Sequence, residues 1–155
     1  MPENALPFEI LGTLPGTLME TLGIAITEAT PERVVATMPV TPGHHQPFGI
    51  LHGGASVALA ETVASYGSTV SIDTSRQHAV GLEINANHVR PVREGLLTAV
   101  GTPIHRGRTT QIWGVEIRDE AGRLVCVSRC TLALIRARPR PRDDARDVAQ
   151  EAGGS

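Results

Sequence analysis

The sequence predicts a single α+β domain in which a curved antiparallel sheet wraps one long helix. The chain has 155 residues, the length of one ordinary domain. A proline-free, alanine-rich run over 54–70 is typical of a helix, whereas most other patterned segments alternate as strands do. The predicted domain covers 14–138. An N-terminal extension, 1–13, precedes it, and an Arg- and Pro-rich tail, 139–155, is expected to be disordered.

The first elements follow from turn residues and alternation. Pro15 in the first turn and Gly23 just past the end predict a short helix. Two strand-like runs follow, GIAITEAT and RVVATMPV, and a turn at Pro31 and Glu32 joins them into a hairpin. A loop rich in Pro, Gly and His, TPGHHQPFGILH, then leads to the long helix.

The long helix starts near Gly53 and is predicted to be buried. Its apolar residues do not keep to one stripe but go most of the way round: Ala55, Val57, Ala58, Leu59, Ala60, Val63, Ala64 and Val70. A helix that is apolar on all sides is typically buried.

Four further strands are predicted in the second half of the chain, over 80–89, 96–105, 110–118 and 124–135. The connections PVREG and DEAG each carry a late glycine, which is typical of tight turns. The four strands are therefore expected to form an antiparallel meander.

Composition excludes several classes of function. The net charge of −2 provides no bulk attraction to nucleic acid or to an anionic membrane. All fourteen basic residues are arginine, which excludes Schiff-base and phosphate-loop lysines. Cys126 and Cys130 lie roughly 13 Å apart along one predicted strand, so they are expected to be buried free thiols. No signal peptide and no membrane-length apolar run of roughly 20 residues is present, which predicts a cytoplasmic protein.

Glu61 is the first candidate for chemistry, because a carboxylate on an apolar helix is costly unless it is paired or faces a cavity. Ser65 lies one turn later on the same face. Upstream, Gly53 and Gly54 open the helix with bare amides at the positive end of its dipole, where an oxygen that becomes negative can be held. Together these features favour acyl-transfer chemistry. A structural glutamate and simple helix capping are the alternatives.

Other polar residues of the loops are weaker candidates. Gln46 offers an uncharged amide to a water or a substrate carbonyl. The adjacent His44 and His45 lack the further ligands of a metal site, so no metal is expected.

Two groups of residues are candidates for binding phosphate oxygens. His88 and Arg90 stand near the end of one predicted strand, while Arg108 and Thr109 flank a turn. Guanidinium and hydroxyl groups bind phosphate well, although solvated loop charges are the plainer alternative.

Three segments, QPFGILHGGASVALAETVAS, AVGLEINANHVRPVREG and DEAGRLVCVSRCTLAL, resemble the hotdog-fold acyl-CoA thioesterases. The similarity runs from about residue 20 to 136 and is strongest to the branch that contains the glutamate-type 4-hydroxybenzoyl-CoA and the 1,4-dihydroxy-2-naphthoyl-CoA thioesterases. The resemblance implies a central helix wrapped by an antiparallel sheet, homodimers with shared active sites that usually pair into homotetramers, and an aryl-CoA substrate, with menaquinone biosynthesis as the favoured pathway. It implies no cofactor, since CoA is part of the substrate.

The resemblance also implies roles for the residues that match the motif. Glu61 acts as nucleophile or general base, two roles that the sequence leaves open. Gly53 polarises the thioester carbonyl from the subunit opposite to Glu61. Gln46 orients the thioester or the water, His52 belongs to the acyl site, and Ser65 steadies the carboxylate or the water.

The CoA nucleotide is matched by a second set of residues, His88, Arg90, Arg108, Thr109 and Arg138. Arg108 departs from the family pattern, because some relatives have a small hydroxyl residue there.

Two rival functions remain. A hotdog dehydratase would carry a His–Asp pair, and none accompanies Glu61 in its segment. An acyl-CoA-binding protein without activity would not need the whole set of Gln46, His52, Gly53, Glu61 and Ser65.

Overall fold

A computed structural model describes residues 11–137. Its elements in chain order are α1 Leu18–Leu22, β1 Ala25–Ala29, β2 Val34–Val40, a 3-10 turn Pro42–His44, β3 His45–Gln46, β4 Ile50–Leu51, α2 Gly53–Val70, β5 Gln77–His88, β6 Gly95–Arg106, β7 Thr110–Arg118 and β8 Leu124–Arg136. The predicted α+β class is confirmed. The short helix α1 ends where predicted, because Gly23 adopts the left-handed φ of 64° that closes a helix.

The main sheet is antiparallel and has the strand order β1-β2-β6-β7-β8-β5. β6, β7 and β8 form a meander as predicted, but β5 pairs with β8 at the far edge, and β6 pairs with β2. The prediction of one four-stranded meander was therefore wrong. The segment between β5 and β6 is no hairpin turn, because these two strands are not neighbours in the sheet. Its Val92 is buried, and the carbonyl of Val92 accepts a 2.7 Å hydrogen bond from the amide of Leu51.

Close contacts between glycines and large side chains seat α2 on the sheet. Trp113 of β7 is fully buried against Gly67 of α2, where an added Cβ would overlap the indole ring. In the same way, Val63 of α2 lies against Gly101 of β6. Each fully buried large apolar side chain contributes roughly 1.5–3 kcal/mol to stability, so the side chains buried between α2 and the sheet stabilise the fold.

One side of α2 is not buried in the single chain. Residues at helical spacing form a half-buried or exposed stripe along it: Gly54, Val57, Ala58, Glu61, Thr62 and Ser65. The prediction of burial on all sides was wrong for the isolated chain, because a single sheet layer covers only one side of a helix.

Cys126 and Cys130 are buried free thiols of β8, as predicted. Within residues 11–137, neither helix is long and apolar enough to cross a bilayer.

Candidate active site

The start of α2 carries an amide suited to holding an oxygen. His52 is the N-cap residue, and its Nδ1 accepts a 2.8 Å hydrogen bond from the amide of Gly54. Gly53 is the first helical residue, so its amide has no partner within the helix and lies at the positive end of the helix dipole. The ring of His88 lies so close to Gly53 that an added Cβ would stand 2.7 Å from its Nε2. The glycine therefore admits the imidazole beside the first turn.

A cavity of about 350 Å³ opens at this helix start, and we call it the helix-start cleft. Its walls include Gln46, Gly53, His88 and Arg90, so four of the predicted site residues come together there. The Oε1 atom of Gln46 accepts a 3.0 Å hydrogen bond from the amide of Phe48, which leaves the side-chain NH₂ group as the available donor. The cleft thus combines amide donors with an exposed guanidinium.

Glu61 lies on the same helix but outside the wall of this cleft. It follows Gly53 by eight residues, which places the two roughly 12 Å apart along the helix axis. Its side chain is half-buried and rests against edge strand β5, where a Cβ added to Gly81 would stand only 2.5 Å from Oε1. Burial raises the pKa of the Cys130 thiol to about 11, and the negative charges of Glu61 and Glu83 add to this shift.

Ser65 lies one turn after Glu61 and is also half-buried. Within residues 11–137, no hydrogen bond joins the side chains of Glu61 and Ser65. On the other side of the helix start, His52 lines a second cavity together with His44 and His45. The rings of the two adjacent histidines bond to different carbonyls, those of Pro39 and Arg93. Residues 11–137 contain no group of three or more side chains that could hold a metal ion.

The predicted nucleotide-binding residues fall at two opposite ends of the sheet. The amide of Arg90 bonds to the carbonyl of Val125, whereas the carbonyl of Thr109 accepts from the amide of Leu134. These two partners are nine residues apart on β8, which corresponds to roughly 30 Å. A single chain therefore does not bring Arg90 together with Thr109 and its neighbour Arg108. Arg138 lies outside the described residues.

Two site residues were missed by sequence reasoning. Gly81 makes room for the Glu61 carboxylate, and a glycine inside a strand pattern is a known signal of such a close approach. Ser56 is buried in the wall of the helix-start cleft, and nothing in its local sequence distinguishes it from a core residue.

A long helix packed on a curved antiparallel sheet, with its candidate site at the helix start, defines a hotdog-fold protein. Residues 48–126 match the family model described as the Thioesterase superfamily. The chain belongs to this superfamily, and it is a thioester hydrolase.

Individual relatives agree with this assignment. ComA2 of Bacillus subtilis is 58% identical over 120 residues, which cover 77% of this chain and 95% of the relative. The 1,4-dihydroxy-2-naphthoyl-CoA hydrolase of Escherichia coli K12 is 47% identical over 120 residues, covering 77% and 88% of the two chains. Among solved structures, thioesterase HI1161 of Haemophilus influenzae superimposes with a TM-score of 0.76 at 46% identity, covering 81% of this chain and 87% of that one.

Proposed function

We propose that this protein is an acyl-CoA thioesterase that hydrolyses an aromatic acyl-CoA, of the hydroxynaphthoyl or hydroxybenzoyl type, to the free acid and CoA. The observation that carries the proposal is the helix-start cleft, whose wall includes Gln46, Arg90 and Gly53, the last with an amide that has no partner within the helix. Two relatives named 1,4-dihydroxy-2-naphthoyl-CoA hydrolase, each 47% identical, support the choice of acyl group.

The first step of the proposed reaction is polarisation of the thioester carbonyl. The Gly53 amide donates a hydrogen bond to the carbonyl oxygen, and the helix dipole stabilises the negative charge that grows on it. The NH₂ group of Gln46 is the second donor, available to the thioester or to the attacking water. The helix start fixes the Gly53 amide, and the bond from the Phe48 amide to Oε1 holds the Gln46 side chain, so little reorganisation accompanies the reaction.

Glu61 drives the second step in one of two ways. As a general base it takes a proton from water, whose oxygen bonds to the carbonyl carbon while the C–S bond breaks. As a nucleophile its carboxylate bonds to that carbon first, and water then hydrolyses the resulting anhydride. In both routes the CoA thiolate leaves and takes up a proton, so no cofactor is required. Ser65, one turn away, steadies the carboxylate or the water.

The distance between Gly53 and Glu61 within one chain supports a shared active site. Gly53 and Glu61 of one chain are separated by roughly 12 Å along the helix and by nearly a quarter turn around it, too far to act on one carbonyl. We therefore propose a homodimer in which Gly53 of one subunit works with Glu61 of the partner subunit, and the pairing of two such dimers into a tetramer.

The free edge of β5 is the proposed dimer contact. Val80 and Leu82 are exposed on this edge strand, with 39% and 62% of their surface accessible. Two-fold pairing of β5 with its copy is antiparallel, so it sets the Gln77 end of one strand beside the His88 end of the other. Thr109 lies at the Gln77 end of β5. The carbonyl of Thr109 bonds to the amide of Leu134 on β8, two residues from Arg136, which pairs with Gln77. The proposed dimer thus brings Thr109 of one subunit towards Arg90 of the other subunit.

The CoA nucleotide is proposed to lie along this joined surface. His88 and Arg90 come from one subunit, and Arg108, Thr109 and Arg138 of the partner subunit complete the site. Guanidinium groups bind phosphate oxygens as bidentate donors, which suits the nucleotide of CoA.

The test is release of free thiol from a panel of aryl-CoA and alkyl-CoA thioesters by the wild type and by Glu61→Gln. We expect cleavage of an aryl-CoA, and a loss in kcat of roughly 10²-fold to 10⁴-fold in the variant, because its amide neither attacks nor accepts the proton. Circular dichroism checks that the variant remains folded.

Two outcomes would contradict the proposal. Binding of CoA without cleavage of any thioester would favour the acyl-CoA-binding protein. Hydration of an enoyl-CoA, measured as the loss of its ultraviolet absorbance, would favour the dehydratase.

A further inference from the structure

A second cavity of about 310 Å³ lies between α1 and the first turns of α2, and we call it the α1–α2 cavity. Its walls include Leu18 and Leu22 of α1 and Gly54 and Ala58 of α2. Because Gly54 follows Gly53 directly, this cavity and the helix-start cleft open on two sides of the same helix start. A thioester carbonyl held at Gly53 therefore has one cavity available for CoA and another for the acyl group.

His44 is the buried polar residue of the α1–α2 cavity. Only 8% of its surface is accessible, and its carbonyl accepts a 2.8 Å hydrogen bond from the amide of His52, which fixes its backbone. Its Nδ1 lies 2.8 Å from the carbonyl oxygen of Pro39. A carbonyl only accepts, so Nδ1 carries the proton, and the neutral ring keeps a lone pair on Nε2.

The Nε2 atom of His44 has no hydrogen-bond partner among residues 11–137. Because Nδ1 bonds to the carbonyl of Pro39, the Nε2 edge of the ring is the one available to the cavity that His44 lines. This Nε2 is not one of the fully buried unpartnered atoms of residues 11–137, so a ligand in the cavity can reach it. A ligand that covers Nε2 without supplying a donor would leave the acceptor unpaired, so the site favours a ligand that supplies one.

His52 presents the complementary group. Its Nδ1 accepts the hydrogen bond of the Gly54 amide, so the proton of the neutral ring is on Nε2, which is a donor. The cavity therefore has largely apolar walls, with an acceptor on His44 and a donor on His52. The third histidine of the wall, His45, already has its Nε2 bonded to the carbonyl of Arg93. A hydroxyl group can donate to His44, and an oxygen next to it can accept from His52.

We propose that His44 determines acyl-group specificity: its Nε2 accepts a hydrogen bond from a hydroxyl group on the acyl moiety bound in the α1–α2 cavity. This inference rests on the proposed function and refines it. The hydrogen bond to Nε2 selects hydroxylated acyl groups over equally large acyl groups that lack a donor. His44 does not touch the reacting carbonyl, so it acts on discrimination between substrates and not on the chemical step.

The experiment measures kcat/KM for benzoyl-CoA and for the monohydroxybenzoyl-CoA isomers. We expect the wild type to prefer at least one hydroxylated isomer by roughly 10-fold to 100-fold, the effect of leaving one acceptor unpaired once the acyl group covers it. His44→Asn keeps a side-chain NH in the position of Nδ1, for the bond to Pro39, and removes Nε2. This variant should bring the preference close to one, whereas the control His105→Asn, at an exposed position of β6, should keep the wild-type ratio.

The outcomes separate the two proposals. Equal cleavage of both substrate types by the wild type, or an unchanged ratio in His44→Asn, overturns the role of His44 and leaves the thioesterase proposal standing. Failure to cleave any thioester overturns the proposed function itself.

A measurement on the wild type guards against a variant that does not fold. In protein labelled with ¹⁵N-histidine, the non-hydrolysable thioether 4-hydroxyphenacyl-CoA should shift the unprotonated Nε2 resonance of His44 towards lower frequency, and phenacyl-CoA should not. Identical shifts with both compounds would contradict the proposed hydrogen bond.

Discussion

The carboxylate of Glu61 lies against the bare backbone of Gly81, across the contact between α2 and the edge strand β5. A Cβ at position 81 would stand 2.5 Å from Oε1, which is closer than real Cβ atoms approach an oxygen. The absence of a side chain at 81 therefore sets the position of the carboxylate on which the proposed reaction depends.

Gly81→Ala should displace this carboxylate and lower kcat by about 10-fold or more, within the range that a positioned base contributes. The fold should survive, because the φ of Gly81 is not in the left-handed region. Steady-state kinetics and thermal unfolding measure the two effects. Gly114→Ala is the matched control, since its Cβ would lie 3.3 Å from Ile104 on β6 and no atom of Glu61 is within 4 Å of it. Equal activity of the two variants would refute the role of Gly81.

Gly53→Pro removes the amide proposed to polarise the carbonyl. Proline is tolerated at the first position of a helix, and His52 already has the extended conformation that precedes proline, with φ −68° and ψ 131°. We expect kcat to fall by roughly 10²-fold to 10³-fold, the effect of losing one oxyanion donor. Gly53→Ala is the control, because it introduces the same contact with His88 but keeps the N–H. If both variants lose activity equally, crowding of His88 and not the amide is responsible.

Mixed dimers test the shared active site directly. Glu61→Gln and Gly53→Pro subunits should each be inactive alone. After unfolding and refolding together, half of the dimers should contain one intact site, so about a quarter of the wild-type activity should return. Each variant refolded alone gives the background, and wild type refolded in the same way must regain its activity. No recovery in the mixture would mean that Gly53 and Glu61 act within one chain.

Leu82→Lys should dissociate the proposed dimer and abolish activity, because a charge replaces an exposed apolar side chain on a free sheet edge. Light scattering coupled to size-exclusion chromatography measures the mass. Ile104→Lys is closely matched: both residues are 62% exposed, and both lie at a register shift, but Ile104 is on the interior strand β6. A Leu82→Lys protein with unchanged mass would exclude the β5 edge as the dimer contact.

Stability should fall as the pH rises from about 9 towards 11. Burial raises the pKa of Cys130 to about 11, and burial also raises the pKa values of Cys126 and Tyr66. In the unfolded chain these groups lose their protons at lower pH, so alkaline conditions favour unfolding. The contribution of Cys130 is roughly 2–3 kcal/mol at most.

Urea unfolding at about pH 8 and about pH 10.5 measures this loss, and the chain has no lysine to complicate the titration. Cys130→Ala should show a smaller decline between the two pH values than the wild type, whatever its absolute stability. An equal decline in both proteins would assign the effect to other groups.

The sequence by itself determined the local elements and the chemistry near them. Gly23 ends α1, Gly53 begins α2, and Glu61 falls two turns into that helix, because caps and helical spacing are encoded by neighbouring residues. The resemblance of the segments around Gly53 and Glu61 likewise predicted the superfamily.

Only the tertiary structure decided which distant segments meet. It pairs β5 with β8, sets Gly81 beside Glu61 and His88 beside Gly53, and keeps Arg90 away from Thr109 in a single chain. Strand order depends on how the whole sheet buries α2, and local alternation is the same whichever neighbour a strand pairs with. For the same reason the exposed stripe on α2 could not be predicted, since apolar residues on every side of a helix do not indicate how many sides one sheet covers.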